Sequence, residues 1–255
     1  MTYGLWLSAG GLQTNEYRQT VLANNLANAN TTGFKHDLAV IHERRMESAT
    51  RPGGGRFRHP VMEGLTGGAW VRPTIHTFEQ GSFERTGSPL DLALEGDGFL
   101  TVTDGKEVRY TRDGRLSLNG EGELVMVAGE GRWRVADEAG RPILVDPYSG
   151  GEIAIANDGT VRQGEDVVSR LGLRSFDDRT ELTKEGANLY RYHGATFKTS
   201  TARVRSGFLE RSTFDPIQGL ANMIEVSRAY QMNANLLSLQ DQTIGMAVTT
   251  VGRIG

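Results

Sequence analysis

Met223, Tyr230, Leu237, Ile244 and Val251 stand seven residues apart. Apolar residues at that strict interval draw one unbroken line along a helix. A companion line three residues earlier, Leu220, Ser227, Ala234, Asp241 and Val248, is apolar only in part. Asp215-Pro216 is a good helix start, a capping carboxylate followed by a proline that fits the first turn. A helix from 216 to 252 is on the order of 50 Å long. One apolar seam of that length needs a partner helix. The chain offers a second heptad-like segment at its other end, where Leu5, Leu12 and Leu26 keep the seven-residue step, Gln19 fills the missing place, and Ala9, Leu22 and Ala23 widen the stripe. Gly10-Gly11 weakens that helix by ~1 kcal/mol per glycine relative to alanine. The expected fold is therefore α+β: N- and C-terminal helices paired as a coiled coil, with a mainly antiparallel β domain inserted between them. The expected boundaries are 1–35 for the N-terminal helix, 36–69 for a Gly/Arg-rich linker or insertion, 70–211 for the β domain and 212–255 for the C-terminal helix.

The end of the first helix has an unusual composition. Asn24, Asn25, Asn28 and Asn30 fall within seven residues. Asparagine is a mediocre helix former because its amide competes for backbone groups. A helix C-terminus with a polar face accounts for them in part. An interaction helix, with amides bonded to other chains or to a second helix of this chain, accounts for their number. Gly33 suits the positive φ that stops a helix, and Phe34 the apolar contact that closes such a cap.

The middle of the chain reads as β structure. Glycine numbers 33 of 255 residues, nearly twice the usual ~7%, which calls for many tight turns. Asp97-Gly98, Asp104-Gly105, Asp113-Gly114, Asn119-Gly120 and Asp158-Gly159 have the composition of type I′ hairpin turns. Short apolar alternations at 90–94, 99–103, 108–111, 116–118, 124–127, 153–155, 170–176 and 203–209 are the expected strands of a barrel-like or irregular antiparallel domain. Gly96-Asp97-Gly98 is expected to be a hairpin turn and not a phosphate loop, because a strand and not a helix follows it. Residues 37 to 46 suit a short extended arm or a helical turn. Pro52-Gly53-Gly54-Gly55, with Arg44, Arg45, Arg51, Arg56, Arg58 and His59 around it, suits a linker or an insertion that docks on a neighbour.

Several function classes are excluded or disfavoured. With no cysteine there is no disulfide, no thiolate catalysis and no Cys-based metal site. A net charge of -3 gives no electrostatic case for nucleic acid. No run approaches the ~20 apolar residues a membrane helix needs, so no stable membrane insertion is expected. The first basic residue is Arg18, so the basic start of a cleaved leader is missing. The histidines are scattered, no G-x-S-x-G elbow or Walker loop occurs, and Asp177-Asp178 with Glu181 and Glu185 lacks calcium-loop spacing. No catalytic residue, metal site or cofactor is expected.

Four separated motifs point to one family. Asn24-Asn25-Leu26-Ala27-Asn28 with Thr32-Gly33-Phe34-Lys35 resembles the N-terminal signature of flagellar rod and hook axial proteins. Gly87-Ser88-Pro89-Leu90-Asp91-Leu92-Ala93-Leu94 with Gly96-Asp97-Gly98-Phe99 is similar to their central segment, and Tyr110-Thr111-Arg112-Asp113-Gly114 to their Y-T-R-D-G hairpin. Gly207-Phe208-Leu209-Glu210-Arg211-Ser212, then Met223-Ile224-Glu225 and Arg228-Ala229-Tyr230, resembles their C-terminal signature. The S-N-V that usually follows is here Ser212-Thr213-Phe214.

The resemblance implies a subunit that leaves the cell uncleaved through the flagellar type III export apparatus and polymerises with itself and other rod and hook subunits in the periplasm. The length suits a rod subunit, and an insertion at 43–69 suits the distal rod slightly better than the proximal. The implied assembly interface is Leu5, Leu12, Leu22, Asn24, Asn25, Leu26, Asn28, Gly33 and Phe34 on the first helix. On the last helix it is Leu220, Met223, Ile224, Arg228, Tyr230, Leu237, Ile244, Val248 and Val251. A secreted β-domain adhesin is the rival reading. It explains the glycine-rich hairpins but not the heptad ends.

Overall fold

The computed structural model describes residues 2–44, 68–146, 148 and 150–251, without the side chains of residues 2, 250 and 251. The glycine- and arginine-rich readings between 45 and 67, and the Val251 side chain, lie outside the described residues. The chain divides into two compact units. One holds residues 1–27, 37–76 and 215–255, and the other 28–36 and 77–214. The residues at 70–76 thus belong with the terminal helices, and those at 28–35 with the β unit.

The first unit contains helices α1 (Thr2–Ala27) and α2 (Pro216–Val251) and strands β1 (Asp37–Glu43) and β2 (Ala69–His76). Asp215 caps α2, its carboxylate accepting from the N–H of Ile217 at 2.8 Å and of Gln218 at 3.3 Å. Helix α1 runs unbroken through Gly10-Gly11. The two helices pack against each other, and they are antiparallel. A Cβ on Gly4 would meet the Gln240 amide, and one on Gly11 the Asn233 amide, so seven residues up one helix match seven down the other.

The buried line of α2 differs from the expected companion line. Gly219 and Val226 are buried, and Asn233, Gln240 and Ala247 half-buried, while Leu220 and Val248 are 50% and 65% exposed. Both lines lie beside the Met223 line, on opposite flanks. The more apolar one points outward because the facing stripe of α1 is Gly4, Ser8, Gly11 and Asn15, with Ser8 and Asn15 buried. That stripe is small and polar, and it leaves room for amides where leucines were expected.

Strands β1 and β2 form an antiparallel hairpin from Asp37↔His76 to Glu43↔Ala69, with a register shift between Leu38 and Val40. Residues 37–43 are therefore a strand and not a helical turn. The Tyr17 hydroxyl of α1 donates to the Arg72 carbonyl of β2 at 2.8 Å.

The second unit is β throughout, apart from a 3-10 turn at Arg179–Glu181, and its ladders are antiparallel. Its strands are β3 (Phe83–Arg85), β4 (Leu92–Glu95), β5 (Phe99–Thr103), β6 (Val108–Thr111), β7 (Leu116–Leu118), β8 (Leu124–Met126), β9 (Arg134–Val135), β10 (Ile153–Ile155), β11 (Thr160–Gln163) and β12 (Asp166–Arg170). They continue with β13 (Leu173–Ser175), β14 (Leu182–Lys184), β15 (Leu189–Tyr192), β16 (Lys198–Thr199), β17 (Arg203–Ser206) and β18 (Phe208–Glu210). The largest sheet has the order β14-β15-β6-β5-β9-β8-β7, and β13 joins β5 to β16. Smaller sheets are β10-β11-β12, β17-β4 and β18-β3.

Strand β5 shows why the core has two parts. Its side chains alternate between faces. Leu100 and Val102 enter an aliphatic cluster with Leu92, Leu124, Val135 and Val204. Phe99 enters an aromatic one with Tyr110, Phe176 and Tyr190, with rings at 5.5 to 5.7 Å from Phe78, Phe176 and Tyr190.

The Asx-Gly dipeptides do not form type I′ turns. That turn needs positive φ at both central residues, and among the described residues the non-glycines with positive φ are Glu130, Ala187 and Asn188. The side chains act instead. Asp104 accepts from the N–H of Lys106 and Glu107, Asn119 from Glu121 and Glu123, and Asp158 from Thr160, all at 2.8 to 3.0 Å. These three dipeptides still close hairpins. Asp97-Gly98 and Asp113-Gly114 do not: the first joins β4 to β5 and the second β6 to β7, strands that do not pair.

Candidate functional site: a polar helix seam and a buried three-charge junction

The seam of the first unit is built by elimination of bulk. Gly11 would place a Cβ 3.0 Å from Asn233 Nδ2, and Gly4 one 2.8 Å from Gln240 Nε2. Leu5, Leu12, Leu22, Leu26, Met223, Leu237 and Ile244 are half-buried, whereas Tyr230, Ile224 and Arg228 are exposed. Of the asparagines, Asn25 is buried and Asn24 exposed. Asn25 binds the backbone of Asp37 twice, donating to its carbonyl at 2.7 Å and accepting from its N–H at 2.9 Å. The Asp37 carboxylate lies 2.6 Å from His76 Nδ1. So one amide of the N-terminal signature fixes where strand β1 starts, within the chain itself.

In the second unit the remaining signatures meet. Gly33 takes φ +67°, and any Cβ there would lie 2.4 Å from the Arg112 carbonyl oxygen. Its N–H donates to the Glu210 carbonyl at 2.7 Å. Phe34 is buried, with the Lys184 ammonium 4.2 Å over its ring. Asn28, half-buried, accepts from Thr31 Oγ1 at 3.2 Å. Asp113 and Gly114 are buried, Asp113 binding Arg115 at 2.7 Å, and Gly114 packs so closely on the Leu92 carbonyl that no Cβ fits. Gly98 is buried beside Ser200, and exposed Asp97 pairs with Arg179 at 2.5 Å.

Beneath them lies a cluster that sequence reasoning missed as a cluster. Lys35, Arg112 and Glu210, one from each of three motifs, are closed off from solvent. Lys35 Nζ is 2.6 Å from Glu210 Oε1 and also donates to the Glu79 carbonyl. Arg112 reaches Glu210 Oε2 at 3.4 Å and donates to the Gly96 carbonyl at 2.8 Å, with its guanidinium 5.2 Å from the Phe99 ring centroid. Gly81 N–H completes the shell at 2.8 Å from Glu210 Oε1. Burial pushes the Lys35 ammonium below its ordinary range against the opposing pull of Glu210, and burial lowers Arg112 as well. A charge in each motif was the available signal, since a polar residue fixed inside a motif is a candidate for a buried pair.

Three of the four carboxylates considered for a cation are otherwise engaged. Asp177 pairs with Lys198 at 2.8 Å, Asp178 caps the 3-10 turn, and Glu185 binds Arg109 and Arg191. Among the described residues no group of three or more acidic or histidine side chains could hold a metal, and no helix is long and apolar enough to cross a membrane. A cleft of about 360 Å³ is lined by Glu138, Asp158, Arg170 and Arg203. Arg170 there is already held by Glu138 at 3.3 Å and the Asp158 carbonyl at 3.0 Å.

Two terminal helices that pack on each other, an antiparallel β unit between them in the chain, and buried charges engaged within that unit describe a structural subunit. Known families agree along the chain. "Flagella basal body rod protein" matches residues 7–35, "Flagellar hook protein FlgE/F/G D1 domain" residues 93–163, and "Flagellar basal body rod FlgEFG protein C-terminal" residues 205–250. The flagellar basal-body rod protein FlgF of Caulobacter vibrioides is 37% identical over 238 residues, covering 92% of this chain and 91% of that one. The flagellar basal-body rod protein FlgG of Buchnera aphidicola subsp. Baizongia pistaciae is 31% identical, covering 96% and 98%. The chain belongs to the family of flagellar basal-body rod proteins, which are structural proteins and not enzymes.

Proposed function

We propose that the chain is a subunit of the bacterial flagellar basal-body rod. It polymerises with its own copies and with other rod and hook subunits into the helical drive shaft that turns the hook. It reaches the periplasm through the flagellar type III export apparatus. The antiparallel terminal helices pair as a coiled coil, with Leu5, Leu12, Leu22, Leu26, Met223, Leu237 and Ile244 in the seam, while Tyr230, expected there from the heptad line, is exposed. Asn24 and Asn28 add amide bonds within and between subunits.

The observation that carries this reading is the outer surface of the helices. Together α1 and α2 hold five charged residues, Glu16, Arg18, Glu225, Arg228 and Asp241. Yet Trp6 and Ile217 are 80% exposed, and Met232, Leu239, Met246 and Val248 are at least 59% exposed. A solvated helix face is usually charged, and an extended apolar one marks an interface. The adhesin reading has no support in the family matches. Within the rod, the segment at 43–69 is the ground for a distal position, and the point at which rods end in its absence decides between distal and proximal. Leu237→Asp tests the seam: no rods assemble while the β unit stays folded, and normal rods from that variant contradict the assignment.

A further inference from the structure

The charge count of the buried junction is uneven. One carboxylate, Glu210, serves two cations, Lys35 and Arg112, and all three side chains are at most 4% exposed. Asp97, the other anion nearby, is half exposed and engaged by Arg179. Chain order matters here. Lys35 precedes every strand of the β unit, Arg112 follows β6, and Glu210 is the last residue of the last strand, β18.

We infer that Glu210 is the closing residue of the β unit: earlier segments bury two cations, and the unit becomes stable only when β18 brings one carboxylate to both. The physical reason is the cost of an uncompensated buried charge, several-fold larger than the net worth of a completed pair. Without Glu210, Lys35 and Arg112 face each other with only the carbonyls of Glu79, Leu94 and Gly96 as partners. Without Lys35, Arg112 and Glu210 remain a balanced pair. The anion is therefore the residue the unit cannot lose, although each position carries one charge. A chain made from its N-terminus holds this unit open until residue 210 has followed, after fifteen of its sixteen strands are complete and the sixteenth is being made. The inference does not depend on the rod reading.

Urea unfolding of the full chain tests it, read by Trp133 fluorescence with Trp6 and Trp70 replaced by phenylalanine. Glu210→Gln lowers the folding equilibrium constant by about 100-fold or more, and Lys35→Met by about 10-fold or less. In the Glu210→Gln background the sign of the lysine change reverses, and Lys35→Met raises the constant by about 10-fold. In kinetics, Glu210→Gln speeds unfolding and leaves refolding within about two-fold, as a contact made after the transition state requires. An equal loss from Lys35→Met in both backgrounds overturns the inference. So does a Glu210→Gln chain that Lys35→Met fails to rescue, or a refolding rate slowed as much as unfolding is speeded.

Discussion

The side-chain amide of Asn25 is hydrogen-bonded to both backbone groups of Asp37, at 2.7 and 2.9 Å, across twelve residues of chain. It stands in for a neighbouring strand, supplying one donor and one acceptor to the first residue of β1. Asn25 is 1% exposed, so nothing else replaces those bonds when it is removed. Asn25→Ala is expected to cost about 2–4 kcal/mol, the desolvation of two stranded backbone groups. Asn25→Asp costs more, because it removes the donor and buries a charge. Denaturant midpoints of the two variants check both the size and the order.

Gly10 and Gly11 are adjacent in one helix and respond oppositely. A Cβ on Gly10 meets nothing within 4 Å, while one on Gly11 lies 3.0 Å from the Asn233 amide. Gly10→Ala is expected to stabilise the helical unit by about 1 kcal/mol through helix propensity. Gly11→Ala gains the same propensity and pays it back by displacing Asn233, so it is neutral or destabilising. Thermal melts followed at 222 nm separate the two; an equal gain from both contradicts the close approach of α2.

Gly33 combines positive φ with a blocked Cβ. Gly87, also at positive φ, has nothing within 4 Å of its Cβ site. Gly87→Ala is expected to cost about 1–2 kcal/mol, the backbone term alone. Gly33→Ala costs at least twice that, since the Arg112 loop must move as well. Urea unfolding of the β unit measures the ratio.

The turns set an acid limit. Backbone N–H donors from Glu107 and Lys106 hold Asp104 well below the ordinary carboxylate range of 3.8. The Thr160 N–H and hydroxyl hold Asp158 down. Burial pushes Asp137 up, but the N–H groups of Arg141 and Ala139 and the Arg141 guanidinium outweigh it, and its value is lowered. Because the folded values lie below the unfolded ones, the unfolded chain binds more protons as pH falls. This stability is fully present above about pH 4 and disappears as pH drops through the folded values. These groups contribute no slope between pH 8 and 5. Asp158→Asn is expected to make the acid limb shallower, which stability measured against pH reads directly.

Much of this fold is legible in the residues. The last helix, the capping Asp215, and the strands at 99–103, 108–111, 116–118 and 153–155 follow from local period and from the turn-forming Asx-Gly pairs, and their bounds match the structure to within a residue. The seam's second line was not legible, because Leu220 and Val248 are more apolar than Gly219 and Asn233. The choice between the flanks is made by Gly4, Ser8, Gly11 and Asn15 on another helix. The hairpin of β1 and β2 was not legible for a similar reason: Leu38, Ile41, Trp70 and Ile75 are all exposed, so no in-out alternation marks the strands. The buried junction is a tertiary fact, since Lys35 and Glu210 lie 175 residues apart.

The most direct test of the structural role is electron microscopy of basal bodies from a strain lacking this chain. The account predicts rods that are missing or truncated, with the truncation point fixing the subunit as distal or proximal. Intact basal bodies carrying full rods and filaments would contradict it.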